Sequence, residues 1–197
     1  MDIFSMIHRK QPGDLLYVFD SKVRSLSKLK ETATGYTVSD DHDSVTRILD
    51  QIVDLLNHRV RNKKQLMKEN PDGFDENEYM DSLDQICVFI DNEKEFVDEV
   101  ADESRDSMVR IAHLAGGLGV MIFAACRTED LASYATIESL TVQLLKNQQG
   151  ISLSGNALSC TMFHENLSYT EKAKDLKEGE AYYFNNGQCD RFRRPDL

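Results

Sequence analysis

The sequence predicts an α/β fold: a doubly wound, mostly parallel sheet with an antiparallel hairpin at its C-terminal edge. Three observations carry that expectation. Short apolar runs without polar alternation recur along the chain, LLYVF at 15–19, ICVFI at 86–90 and LGVMIFAAC at 118–126. Strands buried on both faces of a parallel sheet read this way. Between these runs lie segments with the three- and four-residue apolar spacing of helices. Near the C-terminus, Asn185-Asn186-Gly187 separates Ala181 to Phe184 from Gln188 to Phe192, a strong signal for a tight hairpin. Strands that alternate with helices and then close in a hairpin define the class.

Taken in order, residues 2–9 read as the tail of a short helix ended by Pro12-Gly13. Leu15 to Phe19 is the first strand, with Asp20-Ser21-Lys22 directly behind it. Val45, Ile48, Leu49, Ile52, Val53, Leu56 and Val60 then form one apolar helical stripe. Asp41, Asp43 and Ser44 cap its start, and the basic residues Arg59, Arg61, Lys63, Lys64 and Lys68 mark its end, where positive charge complements the helix dipole. Glu69 to Asp84 is polar, with a loop at Pro71-Asp72-Gly73, and is expected to be locally disordered. Ile86 to Ile90 is the second strand, closed by Asp91. One or two helices follow from Glu93 to His113, with Phe96, Val97, Val100, Met108, Ile111 and Ala112 facing inward, and Gly116-Gly117 ends them. Leu118 to Cys126 is a third buried strand. A short helix near Glu129 to Ala135 leads to a fourth strand, Leu140 to Leu145, before the turns at Gly150, Gly155 and Gly179.

Composition bounds the function. At 197 residues, 41% hydrophobic and 29% charged, the chain suits one globular domain spanning 1–197. No apolar run reaches bilayer length, and MDIFSMIHRKQPGD lacks the apolar core and cleavage site of a secretory signal. A soluble, cytoplasmic domain is expected, without membrane insertion of this segment. The net charge of −11 argues against nucleic acid as a partner, since such binding relies on Lys and Arg displacing counterions. The basic stretch from Arg59 to Lys68 is read as a solvated helix end. Cys87, Cys126, Cys160 and Cys189 form no CxxC pair, and the histidines at 8, 42, 58, 113 and 164 show no metal spacing. Cys87 and Cys126, inside apolar runs, are expected as reduced core residues, and no structural metal is expected.

In open α/β sheets, chemistry collects at the carboxyl ends of the strands. Three such ends carry polar groups here: Asp20-Ser21-Lys22, Asp91-Asn92-Glu93 and Arg127-Thr128. Asp91 has the context of an acid that holds magnesium, but Asn92 follows it, and an amide cannot take a proton from water. Equally, Asp91 could cap the next helix. A phosphate-cradling GxxxxGK[ST] loop is absent, and none of the ten glycines is followed by Lys. Without that anion nest, triphosphate binding loses its main attraction. Neither ATP hydrolysis nor a bound cofactor is expected, with ATP and magnesium held at most weakly.

The ordered segments LLYVFDSK, TGYTVSDDHDSVTRILDQIVDLLNHRV, QICVFIDNEKEFVDE, GGLGVMIFAACRTED, LTVQLLKNQQ and LKEGEAYYFNNGQCDRFR resemble the FtsK/SpoIIIE-type ATPases. The resemblance is greatest to the degenerate last ATPase module of the membrane-bound coupling proteins of type VII secretion, and it covers nearly the whole chain. It implies a truncated P-loop-NTPase-like (RecA-like) fold without the first strand and phosphate loop. Asp91 then stands at the Walker B acid, a weak magnesium candidate, and Asn92 at the catalytic glutamate. Ala125, Cys126 and Arg127 stand where active relatives carry Thr-Gln-Arg. Asp20-Ser21-Lys22 matches a structural segment of the second strand. These departures imply a non-catalytic module in substrate docking or regulation of protein export, at the inner face of the cell membrane. The implied partners are exported helical (WXG-type) proteins and sibling ATPase modules. A missing first strand would leave an open sheet edge, hence an expected tendency to self-associate. Three alternatives remain: a DNA-translocase motor fragment, a weak ATP-binding domain, and a metal-dependent hydrolase using Asp20 and Asp91.

Overall fold

A computed structural model describes residues 13–99, 102–127, 130, 144–153, 155–160, 163 and 166–193. They fall into two compact units, Met1–Cys126 and Arg127–Leu197. The expected elements at 2–9 and most of 129–135 lie outside the described residues.

The first unit is built on a parallel four-stranded sheet. Its strands are β1 (Leu15–Asp20), β2 (Gly35–Val38), β3 (Ile86–Ile90) and β4 (Val120–Ala124), in the order β2-β1-β3-β4. In register, Phe19 pairs with Thr37 on one side and Ile90 on the other, and Ile90 pairs with Ala124. The strand ends therefore line up along one carboxyl edge. Every residue of β3 is buried, as its unbroken ICVFI run requires. Strand β2 was not anticipated, because GYTV is too short for periodicity to separate it from its polar surroundings.

The expectation of a third fully buried strand is corrected. The strand is Val120–Ala124 and only half-buried; among the described residues, β4 lies at the end of the strand order with β3 as its neighbour. Phe123 is 38% exposed, although its ring stacks on Phe89 at 4.8 Å. Cys126, expected in the core, is exposed because it lies beyond the end of β4. Cys87, within β3, is buried as expected.

Helix α1 (His42–Glu69) starts where Asp41 accepts a hydrogen bond from the Ser44 amide at 3.3 Å. It buries Val45, Ile48, Leu49, Ile52 and Leu56 of the anticipated stripe, while Val53 and Val60 are half-buried. It does not stop at the basic residues but runs through them. Buried among the apolar positions is Arg59, whose guanidinium donates to the Leu118 and Asp84 carbonyls, each at 2.6 Å. Tyr79 donates its hydroxyl to the Arg59 carbonyl at 2.9 Å.

That contact explains another correction. The stretch expected to be disordered is a turn followed by helix α2 (Glu76–Asp81). Asp75 caps it through the Asn77 and Glu78 amides, and Tyr79 anchors it to α1. Helices α3 (Glu93–Glu99) and α4 (Asp102–Leu114) follow β3, with Phe96, Met108 and Ile111 buried. Val100 lies outside the described residues. Helix α4 runs alongside α1 in the same direction. Thr46 meets Ser104 at 2.7 Å, Ser107 meets Asp50 at 3.4 Å and Arg110 meets Asn57 at 2.7 Å.

The second unit carries an antiparallel sheet, β5 (Gln149–Ser152), β6 (Glu180–Asn185) and β7 (Gln188–Arg193), in chain order. The Asn186-Gly187 turn has positive φ at both residues, 47° and 90°, as a tight hairpin requires. The hairpin thus forms a three-stranded sheet with β5, separate from the parallel one. Tyr182, Phe184, Cys189, Ala157 and Cys160 make this unit's core. Ser168 and Glu171 form a capping box on the one-turn helix α5 (Tyr169–Lys172). Of the strand expected at 140–145, residues 140–143 lie outside the described residues. Residues 144 and 145 are helical, not extended; leucines suit either state, and a short apolar run does not distinguish them.

Candidate functional site

At the carboxyl edge of the parallel sheet, β1 and β3 end side by side in Asp20 and Asp91. The Asp91 amide donates to the Phe19 carbonyl at 3.1 Å and continues the ladder. Asp20 is 1% exposed. A buried carboxylate needs donors, and Asp20 has two, the Leu26 amide at 3.1 Å and the Tyr36 hydroxyl at 2.5 Å. Burial, then the Asp20 carboxylate it serves, pushes the Tyr36 phenol up to about 12.

Ser21, also buried, donates its hydroxyl to one Asp91 oxygen. Asn92 turns its side-chain oxygen to the Glu95 amide at 3.2 Å and so caps α3. The capping role considered for Asp91 therefore belongs to Asn92. Glu93 is buried, and its amide donates to the Ala125 carbonyl at 2.8 Å, tying α3 to the segment after β4. Ala125 in turn donates its amide to the Ile90 carbonyl at 2.9 Å.

Glu95 and Glu99, one turn apart on α3, complete the arrangement. Glu95 accepts from the Lys22 amide at 2.7 Å and from the Ser39 hydroxyl. Glu99 pairs with the Lys22 ammonium. That partner raises the Lys22 pKa and lowers that of Glu99.

The structure thus brings together Asp20, Ser21, Lys22, Asp91 and Asn92. Cys126 is exposed, and Arg127 belongs to the second unit. Sequence reasoning missed Tyr36, Ser39, Glu95 and Glu99. The two glutamates at four-residue spacing were a usable signal, since they share one helix face. Tyr36 and Ser39 gave none, because β2 itself was unrecognised. Among the described residues, no three His, Cys, Asp or Glu side chains are placed to hold a metal ion. Also among them, no helix is long and apolar enough to cross a membrane.

A parallel α/β sheet with acids and hydroxyls at its carboxyl edge, followed by an antiparallel sheet, defines the class. The fold is shared with solved structures that include ATPase domains. In particular, the chain is similar to the cytoplasmic domain of EssC, with a TM-score of 0.80 and 16% identity over 98% of this chain and 36% of that one. It is also similar to EssC ATPases 2 and 3 from Geobacillus thermodenitrificans, with a TM-score of 0.69 and 14% identity over 93% and 31% of the two chains. A third solved structure, the monomer form of the pCW3 conjugation coupling protein TcpA with ATPγS, gives 0.56 and 19% over 92% and 52%. At such identities the likeness establishes the fold. This chain spans 31–52% of the length of these structures. No protein-family model and no curated protein matches it.

Proposed function

We propose that this chain is a non-catalytic ATPase-fold module of a type VII secretion coupling protein. It acts in substrate docking or in regulating neighbouring ATPase modules at the inner face of the cell membrane. The observation that carries the reading is the commitment of Asn92. In an active module this position would hold the carboxylate that polarises the attacking water. Here it is an amide, and its oxygen is used to cap α3.

The surrounding residues support the same reading. One Asp91 oxygen takes the Ser21 hydroxyl, where a magnesium site would keep it for the metal or its water. No glycine of the chain is followed by Lys, so the sequence offers no backbone cradle with its phosphate-binding Lys. These residues do not fit magnesium-ATP. The fold shared with EssC supports this reading, under which exported helical proteins and sibling ATPase modules would be the partners.

Calorimetric titration of the chain with magnesium-ATP tests the catalytic half of this reading. No binding in the micromolar range, equivalent to about −8 kcal/mol, and no phosphate release are expected. Tight binding with turnover, abolished by Asp91→Ala, overturns it. The docking half is tested by titrating purified exported proteins and sibling modules encoded beside this chain. Saturable binding to at least one is expected, and failure of all of them removes that half.

A further inference from the structure

We propose that the far end of α1 forms, with the end of α4, a docking groove for an acidic amphipathic helix of a partner protein. Helices α1 and α4 run in parallel, pinned by the Thr46–Ser104, Asp50–Ser107 and Asn57–Arg110 contacts. Helix α4 stops at Leu114, and the chain turns back through Gly116 and Gly117 to β4. Helix α1 continues to Glu69, so its last turns run past their neighbour. The result is a groove of about 280 Å3, lined by Val60, Lys64, Met67, His113, Leu114 and Leu118.

The apolar floor follows from helical spacing. Val60 and Met67, seven residues apart, lie on one face of α1, and Met67 is 47% exposed. Methionine suits an adaptable contact surface. The charge of the site sets it apart from the rest of the molecule. Between Asp54 and Glu69 the helix carries Arg59, Arg61, Lys63, Lys64 and Lys68 and no acid, in a chain of net charge −11. Arg59 is absorbed by carbonyls and Lys63 pairs with Glu76, while Arg61, Lys64 and Lys68 are exposed. Helical spacing places Arg61, Lys64 and Lys68 along one rim of the groove. A helix with leucines toward Met67 and Leu114 and glutamates toward this rim would take the lane that α4 vacates. Its charge complements the groove, whereas a second copy of this acidic chain is repelled overall.

The groove lies at the amino edge of the parallel sheet, where Arg59 meets the Asp84 and Leu118 carbonyls just before β3 and β4. It is thus remote from Asp20 and Asp91, and it stands whether or not the carboxyl edge binds a nucleotide.

The test uses the whole chain and a fluorescent peptide of about 15 residues with Glu, Ala and Leu at helical spacing. Anisotropy is expected to show saturable binding that weakens with salt. The double variant Lys64→Glu with Lys68→Glu should lose affinity by at least about tenfold. Met67→Ser should weaken binding at every salt concentration, with far-UV circular dichroism of both variants unchanged. Amide shifts on peptide addition should cluster at 60–68 and 113–118. A peptide with Lys replacing Glu should not compete. No binding, equal binding of the Lys peptide, or shifts elsewhere overturns the proposal. So does tighter binding of a duplex oligonucleotide that the double variant abolishes, which would make the surface a nucleic-acid site. A concentration-dependent dimer that the double variant dissociates would make it a self-interface and also overturn it.

Discussion

Buried Asp20 and half-buried Tyr36 form a pair whose two members depend on each other. The Tyr36 phenol has a folded-state pKa of about 12 against an ordinary 10. For a group whose pKa is raised on folding, the stabilisation is fully present below the unfolded value and lost as pH rises through the folded one. The Tyr36 contribution therefore persists to pH 10 and fades between 10 and about 12. Tyr36→Phe should flatten the decline of urea stability over that window. An unchanged slope in the variant would show that the pair contributes nothing to it. Removing the acceptor is more costly. Asp20→Ala leaves the half-buried Leu26 amide and Tyr36 hydroxyl without their acceptor and should cost about 1–3 kcal/mol in urea unfolding. A loss within about 0.5 kcal/mol would mean that water replaces the carboxylate. At this scale the sequence was only partly legible. Asp20, Asp91 and Asn92 could be found because they end apolar runs. Their partners Tyr36 and Ser39 come from a four-residue strand, and Ser21 revealed its role only once β1 and β3 were adjacent.

Among the elements, the joint between α1 and the sheet rests on Arg59. Burial lowers its pKa, and nearby Tyr79 and Asp84 oppose that shift. Its guanidinium serves two carbonyls that the parallel ladders leave open at the amino edge. Arg59→Met should lose about 2–4 kcal/mol in urea unfolding, since both carbonyls lose a charged donor. Arg59→Lys should recover part of it, because an ammonium is charged but lacks the fork geometry. Gly119 belongs to the same joint. Its φ is 68°, and an added Cβ would lie 3.0 Å from an Arg59 nitrogen and 3.3 Å from the Leu83 side chain. Gly119→Ala should therefore destabilise by about 1 kcal/mol or more; a neutral result would show that the turn can relax. The helical stripe from Val45 to Leu56 and the buried runs of β1 and β3 were readable because their burial follows a simple period. Arg59 broke the reading. A charged residue next to Val60 looks like the start of a solvated end, and only the third dimension supplies the carbonyls that let it be buried. The exposure of β4 was hidden for a related reason, since VMIFA is as apolar as a central strand and its edge position depends on topology.

Among the described residues, strand pairing is partitioned between the two units. The β1–β2, β1–β3 and β3–β4 ladders close within the first unit, and the β5–β6 and β6–β7 ladders close within the second. The units differ in what they can bury. The first has a parallel sheet with a fully buried central strand and a 28-residue helix packed by one face. The second spans Arg127–Leu197, roughly 70 residues, a size at which a single apolar core is marginal. Among the described residues, its core is a cluster around Tyr182 and Phe184. The cysteines report on both, because Cys87 is buried in the first unit and Cys160 and Cys189 in the second. Under rising urea, thiol labelling read by mass spectrometry should modify exposed Cys126 first, without denaturant. Cys160 and Cys189 should follow together, and Cys87 last, since local opening precedes global unfolding where less apolar surface is buried. Simultaneous labelling of the three buried thiols would mean that the units unfold as one cooperative body. Labelling of Cys87 before the other two would reverse the stability order assigned to them.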